Sequence, residues 1–258
     1  MSDITAAAIA SLRTRTGVSI SACKEALVEA NGDEEKAIEI LRKRGIAQAA
    51  KKAARAQAEG LVFLKEEGNR SAMLVIRCET DFVARDDSFQ SIGEEIVGAL
   101  LQSGTASAEA IAAEKLPELV QRLGENITAE DLQLIEAPVV GSYLHSNRKI
   151  GVIIGMNGGS RDMARDIAMH AAALNPMYLS PDDVTADVLE KEREIWREQM
   201  KKEGKPEAIQ EKIMIGKEKK FREENALLKQ AFVKDPTKTI EQYLNGVTIT
   251  AYSRISIT

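Results

Sequence analysis

A hairpin followed by one amphipathic helix occurs twice in this chain, and that repetition restricts the fold more than any other feature. Gly60-Leu61-Val62-Phe63-Leu64, a turn at Asn69-Arg70 and the run Ala72–Cys78 precede a helix expected from about Ser88 to Leu101. Gly141-Ser142-Tyr143-Leu144, Asn147-Arg148 and Ile150–Met156 precede a second, from about Arg161 to Leu174. Short apolar runs between turn residues read as strands, and apolar residues three and four apart read as helix. Leu132–Ile135 is expected to add a third strand to the first unit. Val247–Ala251, alternating on to Ile257, is expected to add one to the second. The expected class is therefore α+β, with two small core units carrying antiparallel sheets, over residues 56–140 and 141–258.

Two helical segments accompany the repeats. Residues 1–55 are expected to form a module of three short helices and a linker. Ile4, Ala8, Ile9 and Leu12 share a face that stops at Gly17. Ser19 or Ser21 caps a second helix ending at Asn31-Gly32, and Asp33 starts a third, closed by Gly45. Helices this short are marginal alone and must pack on one another. Within the second unit, residues 184–229 are dense in Lys, Arg and Glu. Val188 and Ile195, Leu189 and Trp196, then Met214, Phe221 and Leu228 recur at seven residues. Gly204-Lys205-Pro206 lies between the two series, the pattern of an inserted antiparallel helical hairpin. It serves either as a strut on its own domain or as an arm toward a partner.

Composition closes off several function classes. The net charge of −5 argues against general binding to nucleic acid or to a membrane surface. No apolar run approaches the roughly 18 residues of a membrane span, and Met1-Ser2-Asp3-Ile4 does not begin a signal peptide. Cys23 and Cys78 fall in an expected helix and strand and read as reduced, buried small hydrophobes of a cytoplasmic protein. Residues 42–58 hold six basic side chains (Arg42, Lys43, Arg44, Lys51, Lys52, Arg55) and no acidic one. This is either a phosphate-binding patch or the solvated face of a linker helix, and the absence of interleaved aromatics favours the second.

Catalytic chemistry is not found. Gly155-Met156-Asn157-Gly158-Gly159 lacks the spacing and the Lys-Ser/Thr ending of a phosphate-binding loop, and Gly216-Lys217 lies in the helical arm. The two histidines, His145 and His170, have no ligand-spaced partner, so no metal site and no cofactor is expected. Asp86-Asp87 and Asp182-Asp183 sit where helices start and read as caps. Cys78 has no evident base. The chain is not expected to be an enzyme.

Two residues stand out from this background. In Cys78-Glu79-Thr80-Asp81-Phe82-Val83-Ala84-Arg85-Asp86 a buried strand ends, Thr80 and Asp81 offer helix caps, and Phe82 falls on a tight strand-to-helix connection. The ring either folds back as a staple or projects as an apolar wedge for a partner's pocket. His170, in Ile167-Ala168-Met169-His170-Ala171-Ala172, lies on the counterpart helix of the second repeat. It is either a satisfied core histidine or the second point of a grip that begins at Asp81-Phe82.

The chain closely resembles bacterial elongation factor Ts. The matching segments are Leu12-Arg13-Thr14-Arg15-Thr16-Gly17, Cys23-Lys24-Glu25-Ala26-Leu27, Thr80-Asp81-Phe82-Val83-Ala84-Arg85 with Phe89-Gln90, Gly141-Ser142-Tyr143, Ile167-Ala168-Met169-His170, Lys219-Lys220-Phe221 and Phe232-Val233. The resemblance implies an N-terminal module like ubiquitin-associated domains, a duplicated core and a coiled-coil arm. It also implies a guanine nucleotide exchange factor for elongation factor Tu. Thr80, Asp81, Phe82 and Val83 would dislodge the GTPase's Mg²⁺, with Phe82 as the wedge. His170 would contact the side of the phosphate-binding loop, and Arg13, Val18, Ile20 and Lys24 would contact a GTPase helix. Some members carry a further helical module after the last core strand; with this sequence ending at Thr258, its contacts are not expected here. A homodimer and a heterotetramer with the GTPase both stay open. The competing classes are an RNA- or ribosome-associated protein using the basic 42–55 helix, and an adaptor built around residues 1–45.

Overall fold

The computed structural model describes residues 4–203 and 206–257. Its chain divides into two compact units: Met1–Leu134 with Leu144–Gly151 and Ile255–Thr258, and Ile135–Tyr143 with Val152–Arg254.

The first unit opens with α1 (Ala6–Thr16), α2 (Ile20–Glu29) and α3 (Glu34–Lys52). Thr5, Ser19 and Asp33 cap their N-termini through side-chain oxygens, and Gly17 ends α1 in the left-handed region at φ 68°. Leu12, Val18, Cys23, Ala26, Leu27, Ala37 and Leu41 form the core of this bundle. The expected stop at Gly45 is not observed. The helix continues to Lys52, so there is no separate linker helix, and Gly45 is a point of close packing. A Cβ there would lie 2.9 Å from the Pro117 carbonyl oxygen.

Strands β1 (Glu59–Glu67) and β2 (Arg70–Cys78) pair antiparallel, Val62 opposite Val75. The short α4 (Asp81–Ala84) follows, then α5 (Asp87–Ser103), α6 (Thr105–Leu123) and β3 (Thr128–Glu136), which completes a sheet of order β1-β2-β3. Helix α6 has no counterpart in the sequence expectation. Its apolar face, Ala108, Leu116, Leu119 and Val120, joins Phe63, Leu74, Ile76, Phe89, Ile96 and Leu100 in one core. The α5 helix approaches the hairpin so closely that a Cβ on Gly93 would sit 2.1 Å from Phe63 Cζ.

In the second unit β4 (Val139–Leu144) and β5 (Ile150–Met156) precede α7 (Arg161–Leu174). The arm follows as α8 (Ala186–Lys202) and α9 (Glu207–Asn225). After it come a two-stranded β6 (Ala231–Phe232) and β7 (Asp235–Thr239), α10 (Ile240–Leu244) and β8 (Ile249–Ser256). The second sheet has the order β4-β5-β8, so the two late strands join their repeats as the alternation implied. The β6–β7 hairpin and α10 were not legible beforehand. In the arm the buried seam is Leu189, Trp196 and Met200. Trp196 meets Phe221 edge-on at 5.9 Å, and Arg193 bonds Glu218 at 2.5 Å. Val188 and Ile195 are not on this seam, and Ile195 is exposed. Gly204 and Lys205 of the expected turn lie outside the described residues.

Candidate functional site

Thr80 ends β2 in an extended conformation (φ −129°, ψ 157°) and caps α4, its Oγ1 accepting the Val83 N–H at 3.5 Å. A helix of four residues cannot sustain itself, and its sequence divides the work. Val83 and Ala84 are buried in the first unit's core, whereas Phe82 on the opposite side is 80 % exposed. The staple alternative is therefore overturned: the ring folds back on nothing. Leaving a phenyl group in water forgoes roughly 2 kcal/mol of burial, so folding alone does not account for Phe82 there. Asp81 pairs with Arg85 at 2.9 Å across one exposed turn.

The backbone under this turn is held by a segment that sequence reasoning missed. Glu125, between α6 and β3, accepts the Glu79 N–H at 2.9 Å and the Thr80 N–H at 3.0 Å on Oε2, and the Thr80 hydroxyl at 2.5 Å on Oε1. Asn126 donates its N–H to Glu79 Oε1 at 2.7 Å, which holds the Glu79 carboxyl below its ordinary range, with Arg55 assisting. Its buried amide reaches the carbonyls of Ala53 at 3.4 Å and Arg55 at 3.0 Å. Burial pushes the Cys78 thiol up to about 12, with the Glu125 charge as the next cause. The thiol donates to the Thr80 carbonyl at 3.2 Å and is no nucleophile. At Asp86, burial opposes ionisation, but hydrogen bonds from Ser88 and Phe89 outweigh it and keep the carboxyl below the usual range while it caps α5. Nothing in Gly124-Glu125-Asn126 marks it in the sequence except a glycine stop before two polar residues.

His170 is fully buried in the second unit. Its Nδ1 accepts the Val233 N–H at 3.2 Å, so the neutral ring carries its proton on Nε2 and donates it to Gln230 Oε1 at 3.0 Å. Phe232 lies 6.0 Å from the imidazole and stacks on Tyr243 at 4.3 Å. Burial holds the imidazole below its ordinary 6.5. The side chain thus braces the segment ending in the exposed Val233 and offers no surface of its own.

In the N-terminal module Arg13 and Ile20 line an open groove of about 470 Å³ with Ala6, Ile9, Ala10 and Thr14. Ile20 is 56 % exposed and Lys24 is exposed, whereas Val18 is in the module's core. The basic 42–58 stretch is largely engaged internally. Arg42 meets Glu114 and Glu118, Arg44 meets Glu25 and Glu29, and Arg55 meets Glu79. Lys52 donates to the Gly124 carbonyl at 2.5 Å. Among the described residues no cluster of His, Cys, Asp and Glu could hold a metal ion, and no helix is long and apolar enough to cross a membrane.

A family model described as Elongation factor TS matches residues 79–258. The chain belongs to the elongation factor Ts family. Relatives named elongation factor Ts extend the match through the N-terminal module. That of Idiomarina loihiensis is 43 % identical over 98 % of this chain and 91 % of its own length. That of Hahella chejuensis is 46 % identical over 92 % and 85 %. That of Francisella tularensis subsp. novicida is 41 % identical over 100 % and 93 %. Family membership makes this a translation elongation factor.

Proposed function

We propose that the chain is a guanine nucleotide exchange factor that binds elongation factor Tu in its GDP form, displaces Mg²⁺ and promotes GDP release, so that GTP can bind. The observation that carries this reading is Phe82: an aromatic ring 80 % exposed on a helix whose other side is locked into the core. The GTPase holds GDP through phosphate-binding amides and a Mg²⁺ that neutralises phosphate charge. An apolar wedge driven against the elements that position Mg²⁺ weakens that hold. By linkage, a protein that binds the nucleotide-free GTPase more tightly than the GDP-bound one lowers GDP affinity by the same factor.

In this scheme Thr80 and Val83 set the wedge, and Asp81 flanks it. The phosphate-loop side of the contact falls to the surface that His170 braces through Val233, since the ring itself is buried. The N-terminal contact falls to Arg13, Ile20 and Lys24, with Val18 holding the turn between α1 and α2 from within. No bond is made or broken in this chain, and neither nucleic acid nor a membrane takes part. The test is release of a fluorescent GDP analogue from purified elongation factor Tu with catalytic amounts of the protein. Acceleration that excess chelator reduces only in part is expected; no acceleration would refute the reading.

A further inference from the structure

The direction in which Phe82 projects is set by backbone alone, because its ring packs on nothing. That backbone hangs from one carboxylate 45 residues later in the chain, which gathers two N–H groups and a hydroxyl. We propose that Glu125 is a positioning residue for nucleotide exchange, fixing the chain ahead of Phe82 so that the ring is presented in one orientation. The inference rests on the exchange reading above.

Three features support it. Hydrogen bonds to an ionised acceptor are about twice as strong as neutral ones, and Glu125 receives three at the point where β2 gives way to α4. The Thr80 hydroxyl donates to Glu125 and accepts from the Val83 N–H, so the hold passes directly into the helix bearing Phe82. Glu125 is itself fixed by its neighbours: the Gly124 carbonyl takes Lys52, and Asn126 takes the carbonyls of Ala53 and Arg55. The turn at 124–126 therefore ties the end of α3 and the Phe82 turn to one point.

A glutamine at this position would keep one oxygen for the two N–H groups and give its amide to the Thr80 oxygen, whereas alanine removes all three contacts. The experiment measures GDP release from elongation factor Tu against factor concentration for wild type, Glu125→Ala, Glu125→Gln, Phe82→Ala and the double alanine variant. It is paired with amide hydrogen exchange on the free proteins. Glu125→Ala should lower the maximal rate about tenfold with the half-saturating concentration nearly unchanged, because positioning acts after docking. Glu125→Gln should recover to within about threefold of wild type, and in the Phe82→Ala background Glu125→Ala should cost less than about twofold, the non-additivity expected of residues acting as one unit. In the free protein, amides of residues 79–86 should exchange faster in Glu125→Ala while those of Met73–Ile76 stay protected. A full further loss on top of Phe82→Ala, or unchanged amides at 79–86, would overturn the proposal. Failure of wild type to release GDP would refute the exchange reading instead, and the amide exchange would still decide whether Glu125 holds the turn.

Discussion

The two core repeats share a hairpin crossed by a helix, yet they treat their distinctive residue in opposite ways. The first leaves Phe82 in water on a short helix, whereas the second seals His170 inside and ties both ring nitrogens. They also achieve the close approach of helix to hairpin with opposite parts. In the first repeat the glycine is on the helix and the large side chain on the strand, Gly93 against Phe63. In the second the glycine is on the strand, and a Cβ on Gly141 would lie 2.6 Å from both Ala164 Cβ and the Arg165 backbone nitrogen. A duplicated framework conserves an arrangement of layers, and each copy has found its own side chains to fill it. What distinguishes the copies is where the chain leaves the last strand of the hairpin, and there one presents a wedge and the other a brace.

Substitutions can break this contrast. The largest effect is expected at Gly141→Ala, about 3 kcal/mol of stability by urea unfolding, because the added methyl meets backbone that cannot yield. Gly93→Ala should cost less, since its clash is with the end of a ring; the reverse order would mean that Phe63 is the more rigid wall. His170→Ala should cost about 2 kcal/mol by leaving the Val233 N–H without its buried acceptor. The same residue gives a pH dependence. Unfolded His170 takes up a proton near 6.5 and the folded ring only at lower pH, so the unfolded state binds more protons below that point. Its contribution to stability is complete above about 6.5 and declines as pH falls, and melting curves of His170→Ala should show a shallower acid slope than wild type. The smallest effect belongs to Phe82→Ala, under about 0.5 kcal/mol of stability, as for any exposed side chain without partners.

Much of this architecture was legible because it is local. The paired hairpins, the helix caps at Ser19 and Asp33 and the stop at Gly17 depend on a few neighbouring residues. The errors are places where distant contacts decide. Gly45 carries the signal of a helix end, but the packing of α3 on Pro117 of α6 makes it a crossing point instead. Val83 was grouped with Phe82 by adjacency, whereas a helical turn sends neighbours to different faces and puts it in the core. Val18 and His170 were expected to touch a partner and are buried for the same kind of reason. Glu125 escaped notice because its meaning lies in the Glu79 and Thr80 amides, far away in sequence. The basic stretch looked free in the sequence only because Glu114, Glu118, Glu25 and Glu29 are remote from it along the chain.

The central claim is that an exposed ring on a pinned turn drives nucleotide release. Its most direct test is the rate of GDP release from elongation factor Tu with wild type and with Phe82→Ala, side by side at saturating factor. The account predicts that the variant binds and keeps its fold while the rate drops at least about tenfold, a loss of about 1.4 kcal/mol in transition-state stabilisation. A wild-type rate from Phe82→Ala would contradict it.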